Sequence, residues 1–262
     1  MKIGIIGAGA MGSAIIEGLL NAKPYKEMQV LVCEQDQTRC QEIAQRLSVK
    51  GTTNINDLAD CQMVILAVKP VAVARVVAAV KLLPIPIVIS IVAGVTIAQL
   101  VEGCQKDVVR VMPNTPSLIG EGISAIAYSN GITAETKEVV ENIFNALGST
   151  VVVTEELFDA VTAISGCGPA YVYLMMEALI DAGCSQGLSR AVARQLVVST
   201  FLGAAKMLDT FPDHPAVLKD RVTSPGGVTI QALHTMEQRG LRGILWDAVN
   251  QATKRSQELS QP

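Results

Sequence analysis

Ile3-Gly4-Ile5-Ile6-Gly7-Ala8-Gly9-Ala10-Met11-Gly12, followed by the helix-like run Ala14-Ile15-Ile16-Glu17-Gly18-Leu19-Leu20, is the stretch that decides the fold. A β-branched run reads as a buried strand, and the apolar-periodic run after the glycines reads as a helix. Glycines at positions 7, 9 and 12 form the Gly-x-Gly-x-x-Gly pattern. In such a loop one glycine permits a tight turn, another lets backbone approach a pyrophosphate, and the third lets helix pack on strand. The pattern alone is common by chance. Strand, loop, helix and next strand in the required order make it specific, and the expectation is dinucleotide binding through Ile6, Gly7, Ala8, Gly9, Ala10 and Met11.

Working outward, short β-branched runs alternate with helical patterns up to about residue 153: Ile3–Ile6, Val30–Cys33, Met63–Ala67, Ile87–Ile91 and Val108–Met112. Their apolar character on both faces predicts a mostly parallel sheet covered by helices on either side. Ile123–Tyr128 and Thr150–Val153 are further candidate strands, flanking a helix that starts near Thr133. Beyond Thr154 the strand signal stops, and the chain reads as helices over 155–165, 169–182, 189–209, 213–222, 226–238 and 241–259. The shift predicts a Rossmann-type α/β dinucleotide-binding domain over 1–154 and an all-helical domain over 155–262.

Glu34 ends the second strand, where an acid accepts hydrogen bonds from the adenosine ribose. It would repel a 2′-phosphate, which favours NADH over NADPH, although Arg39 or Lys50 would reach a phosphate if the loop turned suitably. A solvated strand end is the alternative for Glu34. Ala67-Val68-Lys69-Pro70 and Val92-Ala93-Gly94-Val95 also finish buried strands, and ligands of open α/β sheets lie beyond such ends. Simple strand termination is the alternative for Pro70 and Gly94. Lys69, a charge directly after a buried strand, has little structural purpose.

Ser224-Pro225-Gly226-Gly227-Val228-Thr229 opens a helical run near the other end of the chain. Free N–H groups at a helix start receive anions, and the Thr229 hydroxyl lies close enough to reach a second polar atom of a small carboxylate. The same residues also suit an ordinary turn and cap.

The chain has 262 residues, half of them hydrophobic, 3% aromatic and 17% charged, with net charge −3. That charge leaves no basic footprint for nucleic acid or an anionic membrane. Cys33, Cys40, Cys61, Cys104, Cys167 and Cys184 show no Cys-x-x-Cys spacing, so no metal site is expected, and they read as buried thiols of a reducing compartment. Met1 leads directly into a strand, and the apolar run 85–95 contains Pro86 and Gly94 and is too short to span a bilayer. A cytoplasmic protein with no membrane partner is expected. The segment Ala170–Ile180 is apolar nearly all round, which favours burial between subunits; a central helix of a monomeric bundle is the alternative.

The series Gly-Ala-Gly-Ala-Met-Gly, Ala-Val-Lys-Pro, Val-Ala-Gly-Val-Thr, Met-Pro-Asn-Thr-Pro (112–116), Ser-Gly-Cys-Gly-Pro-Ala-Tyr (165–171) and Ser-Pro-Gly-Gly-Val-Thr-Ile resembles, in order, the pyrroline-5-carboxylate reductases. The resemblance runs from Ile3 to about Leu259. It implies reduction of the cyclic imine 1-pyrroline-5-carboxylate to L-proline, the last step of proline biosynthesis, by NADPH or NADH. It also implies a helical domain that interlocks a homodimer, with five dimers forming a decamer in some members. By position, Ser224 with the backbone of Gly227 and Val228 would hold the carboxylate, and Thr229 would meet the ring nitrogen. Ile6 to Met11, Glu34, Asn54, Ala67, Val68, Lys69, Pro70, Ala93 and Gly94 would contact the dinucleotide. Glu155 falls where the family has an acid near the substrate, with Glu156 as a competing choice.

The sequence departs from the family in two places. Cys167 stands for a usual Ser and is read as a packing variant, and Glu34 stands for a small hydroxyl residue, against the usual NADPH preference. Reduction of an iminium that binds already charged needs positioning more than proton transfer, so His214 and His234 are read as non-catalytic. A β-hydroxyacid dehydrogenase would need a lysine base on the first long helix after the boundary, and residues 155–183 contain none. The other alternative is a non-catalytic dinucleotide sensor, against which the intact Ser224–Thr229 loop argues.

Overall fold

The computed structural model describes residues 1–21 and 29–260. They form β1 (Lys2–Ile6), α1 (Ala10–Asn21), β2 (Gln29–Cys33), α2 (Gln37–Leu47), β3 (Lys50–Thr52), β4 (Met63–Leu66), α3 (Val73–Lys81), β5 (Ile87–Ser90), α4 (Ile97–Cys104), β6 (Asp107–Met112), β7 (Gly122–Tyr128), α5 (Ala134–Asn145) and β8 (Gly148–Val152). Helices then follow one another: α6 (Phe158–Val161), α7 (Gly168–Ser185), α8 (Arg190–Thr210), α9 (Pro215–Arg221), α10 (Val228–Gln238) and α11 (Leu241–Ser260).

The eight strands lie in the order β3-β2-β1-β4-β5-β6-β7-β8. The first six are parallel, β7 runs antiparallel to β6, and β8 is parallel to β7. Apolar runs on both strand faces have a direct cause here. On β4, Met63 and Ile65 enter a core with Ile15, Ile16, Leu19, Ile143 and Phe144. Val64 and Leu66 enter the opposite core with Val73, Val77, Val80 and Leu100. Each face of the sheet is thus covered by helices, α1 and α5 on one side and α3 and α4 on the other.

β3 is the one strand that the sequence pattern does not reveal. Lys50-Gly51-Thr52 has no apolar residue, and it is held at the sheet edge by pairing with β2 and by close packing beneath α2. A Cβ on Gly51 would come within 2.8 Å of Cys40 Sγ.

The chain divides into two compact units, residues 1–167 with 252–262, and residues 168–251. The division by packing falls later than the change of composition at 154/155. Phe158, 1% exposed, packs with Met112, Ala125 and Ala127, so the first helical residues after the sheet belong to the first unit. The end of α11 belongs there too, where Ser256 Oγ donates to Asp159 Oδ1 at 2.6 Å. In the second unit α7 packs on α8, with Gly183 close against Ala193. Apart from Ala193, the described residues of α7 and α8 are all at least partly exposed. Two helical stretches, Glu155–Ser185 and Arg190–Thr210, are long and apolar enough to cross a membrane by length and composition alone.

Candidate active site

The crossover of the sheet lies between β1 and β4, where ligands of such folds bind beyond the strand ends. The chain leaves β1 through Gly7, whose N–H donates to Cys33 O at 2.9 Å, while Ala67 N–H at the end of β4 donates to Ile6 O at 2.8 Å. The three fingerprint glycines have separable reasons. Gly7 has φ +97°, and a Cβ there would meet Ala67 O at 2.7 Å. A Cβ on Gly12 would meet Gly7 O at 2.3 Å, so helix and turn are in contact. At Gly9 a Cβ would meet nothing within 4 Å. Packing therefore gives no reason for glycine at position 9, whereas close approach of a ligand does. The first turn of α1 carries no acidic residue, which leaves its N–H groups and dipole for an anion. These features fit a dinucleotide.

A cleft of about 690 Å³ opens at this point, and it brings together Ile6, Gly7, Gly9, Glu34, Asn54, Ala67, Val68 and Lys69. Ala8 and Ala10 border a neighbouring groove between α1 and α2 that also takes in Gly9 and Arg39. Met11, in the first turn of α1, packs on the core. Lys69 precedes a 3-10 turn over Pro70–Ala72, so Pro70 starts that turn and is not part of the cleft lining. Asn54 also has a local duty, its Oδ1 accepting from Asn56 N–H. Ala93 and Gly94 lie in a turn after β5, with Gly94 at φ +76°, and the space by its Cα is bounded by Leu259 of α11. Arg75 and Gln35 also line the cleft and were not anticipated. They are solvent-facing polar residues with no periodicity or motif to mark them.

Cys33 lines the same cleft, and burial pushes its thiol up to about 11. It stays protonated and unreactive near neutrality.

Glu155 is held by two donors of the first unit. Its Oε1 accepts from Arg110 Nη1 at 2.8 Å and from Ile97 N–H at 2.7 Å, at the start of α4. Arg110 is only 4% exposed and its guanidinium also stacks over Phe158 at 4.6 Å. The buried cation is paired by this carboxylate, so Glu155 joins the sheet to the first helical residues. The sequence signal for it was an arginine inside the apolar strand Val108–Met112.

The segment 165–171 also has unusual geometry. Cys167 N–H donates to Thr162 O at 2.8 Å, making a π-turn over Thr162–Gly166 immediately before Gly168-Pro169. Such turns insert an extra residue into a helix and shift the faces that follow it.

In the second unit, Ser224-Pro225-Gly226-Gly227 forms a turn closed by Gly227 N–H donating to Ser224 O at 3.1 Å. Proline second and a glycine of φ +68° third are the residues that a type II turn demands. Gly227 is the N-cap of α10, and no side chain caps the helix. A Cβ on Gly227 would collide with the Ser224 hydroxyl, so only glycine lets that side chain lie over the helix start. Val228 is 89% exposed and Thr229 is half-buried in the first turn. The arrangement offers uncapped N–H groups flanked by two hydroxyls.

A Rossmann sheet with a glycine cradle, joined to an all-helical domain, defines a nicotinamide-dependent oxidoreductase. Its first 94 residues accord with this: residues 2–94 match the family described as NADP oxidoreductase, coenzyme F420-dependent. Residues 155–259 match the family described as pyrroline-5-carboxylate reductase dimerisation. The pyrroline-5-carboxylate reductase of Synechocystis is 40% identical over 99% of this chain and 98% of its own. The structure of the Coxiella burnetii pyrroline-5-carboxylate reductase superposes with TM-score 0.91 at 32% identity, covering 99% of this chain and 98% of that one. The Plasmodium falciparum enzyme, solved with NADP bound, superposes at 0.86 with 33% identity over 100% and 98% of the two chains. The chain belongs to the pyrroline-5-carboxylate reductase family.

Proposed function

We propose that this chain reduces 1-pyrroline-5-carboxylate to L-proline with NADH or NADPH, and that the α10 start is its substrate grip. The observation that carries this is the uncapped N-terminus of α10, set between the Ser224 and Thr229 hydroxyls in a chain of this family. Helix N–H groups favour a carboxylate. In this reading Ser224 Oγ and the N–H groups of Gly227 and Val228 hold the carboxylate, which fixes the ring. Thr229 Oγ1 takes the ring nitrogen, orienting the imine carbon and compensating the change of charge as the iminium becomes an amine. A reduced nicotinamide, when bound, supplies the hydride. Gly9, Ala10 and Met11 hold the pyrophosphate by their backbone, Glu34 and Asn54 the adenosine side, and Ala67 to Pro70 with Ala93 and Gly94 border the nicotinamide side.

Binding of the iminium in its charged form makes a dedicated proton donor unnecessary, so the chain's contribution is orientation. The helical domain over 155–262 pairs two copies, and five such dimers assembling into a decamer is the larger form we propose. Six unpaired cysteines favour the cytoplasm as its compartment. Oxidation of NADH or NADPH by the purified chain, dependent on the cyclic imine and yielding proline, tests the assignment. Nucleotide binding without any imine-dependent turnover would instead make it a sensor.

A further inference from the structure

The adenosine end of the cleft is built around one acid. Glu34 follows the last residue of β2, and backbone donors hold its carboxylate on both sides. Ala8 N–H donates to Oε2 at 2.9 Å and Asp36 N–H donates to Oε1 at 3.3 Å. Ala8 belongs to the fingerprint loop, so the carboxylate is tied to the element that receives the pyrophosphate. Its charge is thereby fixed where the ribose hydroxyls of a bound dinucleotide come.

Two guanidiniums line the same cleft, and they are the groups that would draw a 2′-phosphate. Both are engaged by neutral acceptors: Arg39 Nε donates to Ala8 O at 3.2 Å, and Arg75 Nη2 donates to Gln35 Oε1 at 2.7 Å. Among the described residues, none of the ion pairs formed includes Glu34. No salt bridge among the described residues therefore offsets the carboxylate. A ribose diol brings two donors to it, whereas a 2′-phosphate brings one to two further negative charges and only acceptors.

We propose that this chain selects NADH over NADPH, with Glu34, braced by Ala8 N–H, as the residue that sets the choice. The inference rests on the reading of this cleft as the dinucleotide site but not on the identity of the imine.

Fluorescence titration of the full-length chain with NADH and with NADPH, in the absence of any imine, tests it. NADH is expected to bind about tenfold or more tightly than NADPH, since juxtaposed like charges oppose the wrong ligand strongly. Glu34→Gln retains an acceptor for Ala8 N–H and removes the charge, so it narrows the ratio; Glu34→Ser removes both and narrows it further or inverts it. Melting curves of both variants establish that they are folded. Equal or tighter NADPH binding by the unaltered chain overturns the proposal, as does one ratio common to all three folded proteins. NADH-selective binding without imine turnover would sink the function proposed above and leave this inference standing, while binding of neither nucleotide would sink both.

Discussion

Thr229, Gly9, Gly12 and Cys33 each carry a prediction of a different kind. Thr229→Ala removes a single hydroxyl from the first turn of α10, so kcat/KM for the imine should fall by roughly 10- to 100-fold, the worth of one hydrogen bond to a charged group. Cofactor affinity, measured by titration, should be unchanged; an equal loss there would remove Thr229 from the substrate side. The two glycines separate binding from folding. A Cβ at Gly9 meets nothing, so Gly9→Ala should melt within a degree or two of the parent yet bind NADH at least about tenfold more weakly, because the methyl occupies the pyrophosphate approach. At Gly12 the methyl collides with Gly7 O, and Gly12→Ala should lower stability by about 1–3 kcal/mol, as overpacking does. Cys33 gives a pH dependence whose sign follows from its burial. The folded chain keeps the thiol protonated up to about 11, whereas the unfolded chain ionises it near 9.0. Between those values the unfolded state binds fewer protons, so stability falls as pH rises through the window. Cys61 and Cys104 are shifted upward by burial as well and add to the same slope. Urea denaturation from pH 8 to 11 should show the decline, and Cys33→Ala should flatten part of it.

Strands and helices were largely legible because most of them carry strong periodic signals. The continuous apolar strands Ile3–Ile6, Met63–Leu66 and Ile87–Ser90 each feed both cores, which leaves little room for a polar residue. The helix starts near Thr133 and Ser189 were legible as well, and in both the hydroxyl residue stands as N-cap. β3 was hidden because an edge strand of three residues needs no apolar side chain to hold its place. The candidate site was legible where the backbone geometry demands particular residues, at Gly7 to Gly12 and Gly226 to Val228. It was illegible where ordinary polar side chains line a surface, as with Arg75 and Gln35, and at Glu155 the sequence did not show the ion pair that holds the carboxylate. That residue shows why an acid beside a candidate site needs a partner count: Arg110, from the middle of β6, already claims it. Glu155→Ala leaves a buried guanidinium without its counter-charge and takes an acceptor from Ile97 N–H. A loss of about 2–4 kcal/mol in urea denaturation is expected, with Arg110→Met/Glu155→Gln recovering part of it. A raised KM at unaltered stability would restore Glu155 to the substrate.

At the scale of the whole molecule, the uneven burial of the two units argues for a second copy. The first unit has sheet residues such as Ile5, Ile65 and Ile89 wholly buried, while α7 and α8 of the second expose Tyr173 at 62%, Leu174 at 66%, Leu196 at 53% and Leu202 at 56%. Contiguous apolar helix faces of this kind mark an interface. The long apolar stretches that would suffice to cross a bilayer fall within residues 155–259, the region matched to the dimerisation family. Leu174→Glu/Leu202→Glu places charge on both helices. Burying a leucine contributes about 1.5–3 kcal/mol, so two per copy, counted on both sides of a symmetric contact, amount to roughly 6–12 kcal/mol withdrawn from association. Light scattering should find the unaltered chain as a dimer or a multiple of it, and the variant as monomer or aggregate with little imine reductase activity. The melting temperature of the unaltered chain should also rise with protein concentration, because association stabilises only the folded state. A parent chain that is monomeric at micromolar concentration, with a melting point independent of concentration, would show that these faces are covered by something other than a second copy.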